Sequence, residues 1–145
     1  MDEQTITILE NTFSQFAKGK EESAALFYER LFALDPSLRR MFTNTEMKTQ
    51  QAKLMAALAL VIGNLRNFDK VAPALENLAV KHVGYGVEES HYETVGNALI
   101  QTLALYFGSA FTSEIRSIWV AAYGAVSGVM IEAARNVPMP VQAAE

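Results

Sequence analysis

Apolar residues recur at three- and four-residue steps along almost the whole chain, and no segment shows the sustained alternation of a half-buried β-strand. In the first such segment Ile6, Leu9, Phe13 and Phe16 follow one another at helical spacing. No repeated or low-complexity segment interrupts this pattern. The sequence therefore predicts an all-α chain.

Proline and glycine divide the pattern into helices of unequal length. A helix must end before Pro36, because proline disfavours the α conformation in the preceding residue, and Asp35 can cap the short helix that follows. Gly84 and Gly86 end a later helix, whose start Asp69 can cap. We expect seven to eight helices, over residues 4–17, 21–34, 38–42, 47 to a break at 63–68, 69–84, 88–107 and 113–135, followed by a frayed tail at 137–145. Such unequal elements do not suggest a four-helix bundle of equal rods.

Composition narrows the class of protein. With 145 residues, half of them apolar, the chain has the size of one domain, 1–145, with a substantial core. A net charge of -4 argues against nucleic acid as a partner, and the lack of cysteine excludes disulfides and thiolate metal sites. The acidic N-terminus does not resemble a secretory signal, and the apolar run at 55–62 is too short to span a bilayer. We therefore expect a cytoplasmic protein without a membrane span.

Three polar side chains interrupt apolar helix faces. His82 shares its face with Leu78, Gln50 lies on the same face as Leu54, and Tyr28 lies on an inner face of the second helix. Taken singly, each has an ordinary explanation: a core or capping histidine, a solvated or capping glutamine, and a core tyrosine. Taken together, one imidazole and two neutral donors in an apolar interior indicate a pocket for a ligand that needs an axial nitrogen and a polar opposite face.

Four segments resemble parts of a globin, most closely a single-domain bacterial haemoglobin or the haem domain of a flavohaemoglobin, with some similarity to neuroglobin-type sequences. The segments are LFYERLFALDPSLRRMF at 26–42, QQAKLM at 50–55, VKHVGYGVEESHYETVGNALI at 80–100 and WVAAYG at 119–124. The spacings agree with that bacterial subgroup: 14 residues from Tyr28 to Phe42, 28 from Leu54 to His82, and 10 from His82 to Tyr92. The resemblance implies a globin fold of seven to eight helices around a pocket for haem b.

The resemblance also implies roles for individual residues. His82 would be the proximal iron ligand, and Phe42 would pack against the macrocycle. Tyr28 and Gln50 would be distal donors, with Gln51 as the alternative to Gln50 if the preceding loop aligns one position differently. The further haem-pocket residues that it implies are Leu54 as a distal gate, Lys53, Lys81 and Tyr85 near the propionates, and Leu78, Val87, Tyr92 and Val95 around the macrocycle. The sixth coordination position of the resting iron is left undecided. It could be empty or occupied by water, Tyr28, Gln50 or Lys53.

One feature departs from the flavohaemoglobin pattern. Those proteins couple the tyrosine at the position of Tyr92 to the proximal side through a glutamate in the last helix. Here the equivalent position falls near Ala134, and Glu132 is the nearest carboxylate. This departure argues against a strongly activated, peroxidase-like imidazole. We expect His91 to satisfy the start of its helix rather than to bind the iron.

The resemblance implies reversible binding of O2, with CO and NO as other ligands, for oxygen storage or transport. The alternative is a nitric oxide dioxygenase that works with a separate reductase, because no flavin or nicotinamide domain follows the haem region. A gas sensor is a distant third, since the chain leaves no room for an output module. Both a monomer and a homodimer are compatible with the sequence.

Overall fold

The computed structural model describes residues 1–137, and within them every regular element is helical. The α-helices are α1 (Glu3–Lys18), α2 (Lys20–Leu34), α3 (Met47–Gly63), α4 (Phe68–Gly84), α5 (Glu89–Phe107) and α6 (Ser113–Arg135). Short 3₁₀ helices cover Pro36–Phe42, Leu65–Asn67 and Gly108–Ala110. The predicted all-α class is confirmed, whereas residues 138–145 of the expected frayed tail lie outside the described residues.

The helix starts follow from local chemistry. The Asp35 side chain accepts from the amide of Ser37, as expected for a cap, and the His91 Nδ1 accepts from the amide of Glu88 in a capping box. The expected cap at Asp69 is wrong. The α4 helix begins one residue earlier, so Asp69 lies in its first turn, where a carboxylate interacts favourably with the helix dipole.

The buried side chains form two clusters. The larger cluster joins α1, α2, α3, α5 and the first half of α6, and the smaller joins α4 to the start of α5 and the end of α6. Accordingly, α2 packs on α3 and α5, whereas α4 packs on α6. Consecutive helices α3 and α4 touch each other far less than either touches these neighbours. The space between these two sparsely contacting helices, bounded at one end by the corner at Leu65–Asn67, is called the cleft.

Helix α6 belongs to both clusters. By length and composition α6 could cross a membrane, because an 18-residue window in it has a mean hydropathy of 1.4. The run at 55–62 is too short to span a bilayer, but composition alone does not exclude a span at α6. Instead α6 packs against α4, α5 and α1, with Trp119, Ala122 and Met130 buried. Only 17% of that 18-residue window is buried, so α6 packs along one face and leaves the rest of its apolar surface accessible.

A polar contact fixes α1 to the corner between α3 and α4. The Arg66 guanidinium donates to both carboxylate oxygens of Glu3, at 2.8 and 2.7 Å, and to Glu10 at 2.7 Å. These bonds hold the pKa of Glu3 below its ordinary value. These bonds hold α1 against the corner end of the cleft and neutralise the charge of Arg66. The other end of the cleft stays open.

Candidate functional site

Tyr28 and Gln50 meet on the side of the cleft formed by α2 and α3. The Gln50 Nε2 donates to the Tyr28 Oη at 3.1 Å. Because the hydroxyl accepts this bond, its own proton is available for another acceptor, and within residues 1–137 no protein group takes it. No hydrogen bond joins Gln51 to Tyr28 in this part of the chain. Of the two alternative glutamines, Gln50 is the one that the fold brings to the tyrosine.

Burial keeps the distal tyrosine in its neutral form. Tyr28 is 6% exposed, and this desolvation raises the pKa of its hydroxyl, with the bond from Gln50 opposing the shift. The group is therefore a protonated donor throughout the neutral pH range. A neutral phenol beside a carboxamide can stabilise partial negative charge without itself ionising.

An aromatic wall surrounds this pair. The Phe42 ring lies edge-on to Tyr28 at 5.7 Å and to Phe32 at 5.4 Å, and the Arg39 guanidinium covers the Phe32 ring at 4.7 Å. Leu54 is half-buried and packs on the same cluster. Phe32 was not among the predicted site residues, although its position four residues after Tyr28 on one helix face is the signal that could have identified it.

His82 lies near the end of α4, the helix that follows α3 after the corner. It is half-buried, and its Nδ1 lies 2.6 Å from the carbonyl oxygen of Leu78, one turn earlier. Since a carbonyl can only accept, Nδ1 carries a proton, and Nε2 is the ring nitrogen that this contact leaves available to another partner. Metal-binding histidines donate their other ring N–H in this way, which fixes the orientation of the ring.

A tight turn follows His82. Gly86 adopts a φ of 88°, which favours glycine, and the Val87 amide donates back to the His82 carbonyl at 3.0 Å. The turn brings Val87 into the smaller cluster beside Leu78 and Tyr92. Gly86 thus lets the chain turn directly after α4, whereas Gly84, expected to help end the helix, is its last helical residue and has no positive φ.

The Tyr92 hydroxyl has no partner within the described residues. Tyr92 is 8% exposed, and burial raises the pKa of its hydroxyl. Glu132, the nearest candidate carboxylate, is exposed and pairs with Arg135 at 3.9 Å, and Ala134 offers no acceptor. No carboxylate in residues 1–137 therefore couples Tyr92 to the imidazole.

Tyr123 fixes the backbone of this region and was not predicted from the sequence. Its hydroxyl donates to the Tyr92 carbonyl at 2.6 Å, while its ring lies so close to Gly96 that a Cβ there would meet it at 2.6 Å. Burial raises the pKa of the Tyr123 hydroxyl well above its ordinary value. The small residue at 96 on the buried face of α5 is the one sequence signal for this close helix packing.

The remaining predicted residues divide by exposure. Leu78, Val87 and Val95 are half-buried against the clusters, whereas Lys53, Lys81 and Tyr85 are exposed. The Tyr85 ring is 65% exposed and lies 6.1 Å from the His82 ring, centre to centre.

The donor set does not suit a bare metal ion. In residues 1–137 no three His, Asp or Glu side chains converge. One imidazole alone does not hold a metal, so His82 fits an ion whose other ligands come from a macrocycle. His82 could supply one nitrogen ligand to the iron of a haem, and the aromatic rings of Phe32 and Phe42 could pack against its macrocycle.

Comparison with known proteins decides the family, since the family model for globins matches residues 25–130. The chain belongs to the globin family. The globin fold binds haem and small gaseous ligands. The all-α fold around a pocket, predicted from the sequence, is therefore confirmed.

Curated relatives of this globin are flavohaemoproteins. Those of Vibrio cholerae and Bacillus subtilis are each 29% identical, over 134 and 133 residues, which cover 91% and 90% of the chain but 34% and 33% of the relatives. The Bordetella parapertussis flavohaemoprotein is 34% identical over 117 residues. The globin thus spans about a third of the length of the relatives that it matches.

Solved structures share the fold at lower identity. A bacterial globin from Campylobacter jejuni has a TM-score of 0.82 at 23% identity, covering 92% of this chain and 96% of that one. An engineered carbene transferase from Rhodothermus marinus, provisionally assigned as a nitric oxide dioxygenase, has 0.82 at 21%, covering 93% and 94%. A hexacoordinated haem protein from an anhydrobiotic tardigrade has 0.83 at 15%, covering 94% and 96%. Likeness at these identities concerns the fold alone.

Proposed function

We propose that this globin binds haem b through the Nε2 of His82 and reversibly binds O2 on the side of Tyr28 and Gln50. The observation that carries the proposal is the 2.6 Å contact between the His82 Nδ1 and the Leu78 carbonyl oxygen, which leaves Nε2 as the ring nitrogen available to a metal. Haem supplies the gas chemistry, since ferrous iron with one imidazole ligand binds diatomic gases.

The other pocket residues hold the group in place. Phe42 would pack against the macrocycle, Leu54 and Val95 would exclude water, and Leu78, Val87 and Tyr92 would support the proximal side. Lys53, Lys81 and Tyr85 are exposed and would offer polar partners to the propionates. Apolar walls with a few placed polar groups are typical of cofactor sites.

The distal pair selects the gas. The Tyr28 hydroxyl and the Gln50 amide donate to a ligand whose outer atom carries negative charge, which O2 develops far more than CO does. On the proximal side the Nδ1 of His82 donates to a carbonyl and not to a carboxylate, and the Tyr92 hydroxyl has no carboxylate partner in residues 1–137, so neither contact would strengthen electron donation by the imidazole. An imidazole without such strengthened donation favours reversible gas binding over cleavage of the O–O bond.

Absorption spectra of the purified protein in its ferric, ferrous and oxygenated forms test the proposal. We expect one haem per chain and an oxygenated spectrum that reverts on deoxygenation. His82→Ala should lose stoichiometric haem, whereas His91→Ala, which changes the other histidine and removes only a helix cap, should retain it. Unchanged haem content in His82→Ala would contradict the assignment.

A nitric oxide dioxygenase is the second candidate, favoured by the flavohaemoprotein relatives and by the Rhodothermus marinus neighbour. In this reaction NO, O2 and one electron give nitrate, and a separate reductase supplies the electron. With NO, O2, NADH and a flavodoxin reductase system, many equivalents of nitrate per haem would favour the enzyme. A single turnover that ends in ferric protein would favour simple binding.

A further inference from the structure

Helix α6 carries a long uncharged stretch that the rest of the fold covers on one side only. Between Arg116 and Glu132 the helix has 15 consecutive residues without a charged side chain. Only 17% of an 18-residue window in it is buried, although the helix packs against α1, α4 and α5. An accessible apolar face of this kind is typical of an interaction site.

Five exposed residues of α6 form one ridge. They follow one another at four-residue steps, so they lie along the same row of the helix surface. Val120 is 51% exposed, and a Cβ built on Gly124 or Gly128 would meet nothing within 4 Å outside its own stretch of helix. The row, which we call the α6 ridge, consists of Arg116, Val120, Gly124, Gly128 and Glu132, all of them exposed.

The order of residues in the α6 ridge is complementary to itself about Gly124. Arg116 and Glu132 lie eight positions before and after this glycine, and Val120 and Gly128 lie four positions before and after it. A twofold axis repeats every contact between residues i and j as a contact between j and i. If two copies of α6 cross antiparallel at Gly124, each arginine therefore faces a glutamate, and each valine faces a glycine that leaves room for it.

The ridge also sets the angle at which two copies would cross. Rows at four-residue steps are inclined by about 26° to the helix axis, so two of them lie side by side when the helices cross at about 50°, the commonest class in globular proteins. Small residues at a crossing point let the two backbones approach closely. Gly124 at the centre and Gly128 on either side of it meet this requirement.

The other two charged residues of α6 leave the charges of the ridge available. Glu114 lies two positions before Arg116, about 200° round the helix, and is therefore off the ridge. Arg135 donates to Glu89 at 2.8 Å, and its 3.9 Å contact with Glu132 joins two exposed side chains, which makes it weak. Arg116 forms no ion pair within residues 1–137.

We propose that this globin forms a symmetric dimer in which two α6 ridges cross antiparallel. Such a dimer concerns assembly and does not depend on haem or on gas binding. A bilayer fits the face less well, because 15 uncharged residues span about 22 Å, whereas a hydrocarbon core is about 30 Å thick. One helix face is smaller than the roughly 800 Å² per partner of a stable complex, so we expect a dimer that dissociates on dilution.

Cysteine cross-linking of the holoprotein locates the contact, because the chain has no cysteine of its own. Under mild oxidation Gly124→Cys should form a covalent dimer at least about tenfold faster than Gly63→Cys, since the two thiols of a bound pair have a high effective concentration. Gly63 is the matched control, because it is also an exposed helical glycine with nothing within 4 Å of a built Cβ. Adding Arg116→Glu to Gly124→Cys should slow the cross-link.

Charge exchange tests the register of the two helices. In sedimentation velocity at low ionic strength, Arg116→Glu and Glu132→Arg should each raise the dimer dissociation constant roughly tenfold, because each dimer then holds two like-charged pairs. An equimolar mixture of the two variants should dimerise again, because each glutamate then faces an arginine of the other variant. Glu114→Arg makes the same charge change as Glu132→Arg but off the ridge, so its dissociation constant should stay close to the wild-type value.

Thermal melts and haem absorbance first establish that each variant is folded and loaded like the wild type. Equal cross-linking of Gly124→Cys and Gly63→Cys, or a mixture of the charge variants that dimerises no better than either alone, would overturn the proposal. So would equal weakening by Glu114→Arg and Glu132→Arg. Cosedimentation of the wild type with phosphatidylcholine vesicles, without a cross-link of Gly124→Cys in solution, would assign the face to a membrane instead of a second copy.

Discussion

The distal hydrogen bond gives the sharpest test of gas selection. Tyr28→Phe removes the hydroxyl proton that no described protein group accepts, and keeps the ring that packs against Phe42. A hydrogen bond to a charged partner contributes about 1 to 3 kcal/mol, which corresponds to a rise of roughly 5- to 150-fold in the rate of O2 dissociation. CO dissociation should change much less, because its outer atom carries little charge.

The 3.1 Å bond from Gln50 to Tyr28 makes the two residues a unit. Gln50→Leu should therefore speed O2 release in two ways. It removes one hydrogen-bond donor, and it releases the tyrosine from its fixed orientation. We expect the rate of O2 dissociation from the double variant to be lower than the product of the two single-variant effects predicts. The corresponding coupling free energy should be about 0.5 to 3 kcal/mol. Gln51→Leu is the control, since this neighbour makes no bond to Tyr28.

Flash photolysis and stopped-flow displacement of O2 by CO give the rates. All four variants should first show ferric spectra and thermal stability close to the wild type, so that a rate change reports the pocket. Unchanged O2 release in Tyr28→Phe and Gln50→Leu would refute the hydrogen-bond account, and equal changes for CO and O2 would refute its electrostatic basis.

The packing and hydrogen bonds of the fold support three predictions about its stability. Gly96→Ala would bring a methyl carbon within 2.6 Å of the Tyr123 ring and should destabilise the fold by about 1 to 3 kcal/mol, whereas Gly124→Ala, with no neighbour within 4 Å, should be neutral or stabilising in thermal melts. Glu3 has a pKa below its ordinary 4.5 because of the corner arginine, so its contribution is present above pH 4.5 and is lost as pH falls through the lowered value. The melting temperatures of wild type and Glu3→Gln should therefore differ at pH 7 and converge in acid. Tyr92→Phe removes a buried hydroxyl without a described partner, so haem-free protein should lose no stability in urea, and a large loss would reveal a partner.

Features that depend on neighbours in sequence were predictable. The Asp35 cap and the His91 contact involve residues two and three positions apart, so their chemistry could be deduced before any fold was known. The assignment of Asp69 failed because a cap depends on where the helix begins. The cap lies two residues earlier than expected, at Asn67, because α4 begins with Phe68, which packs on the smaller cluster.

The site was predictable as a set of residue types but not as a set of contacts. Helical spacing and the globin resemblance identified Tyr28, Gln50 and His82, yet the choice of Gln50 over Gln51 depends on how α3 crosses α2. The packing of Tyr123 on Gly96 joins two helices whose separation the sequence does not encode locally. Contacts of this kind are decided by helix crossing geometry, which depends on the whole core.

The most direct test of His82 as the iron ligand is the iron–imidazole stretching band in the resonance Raman spectrum of the ferrous protein. We expect one such band in the wild type, its loss in His82→Gly, and its return when imidazole fills the space left by the side chain. The restored band should shift when the added imidazole carries ¹⁵N. A band that persists unchanged in His82→Gly without added imidazole would contradict His82 as the axial ligand.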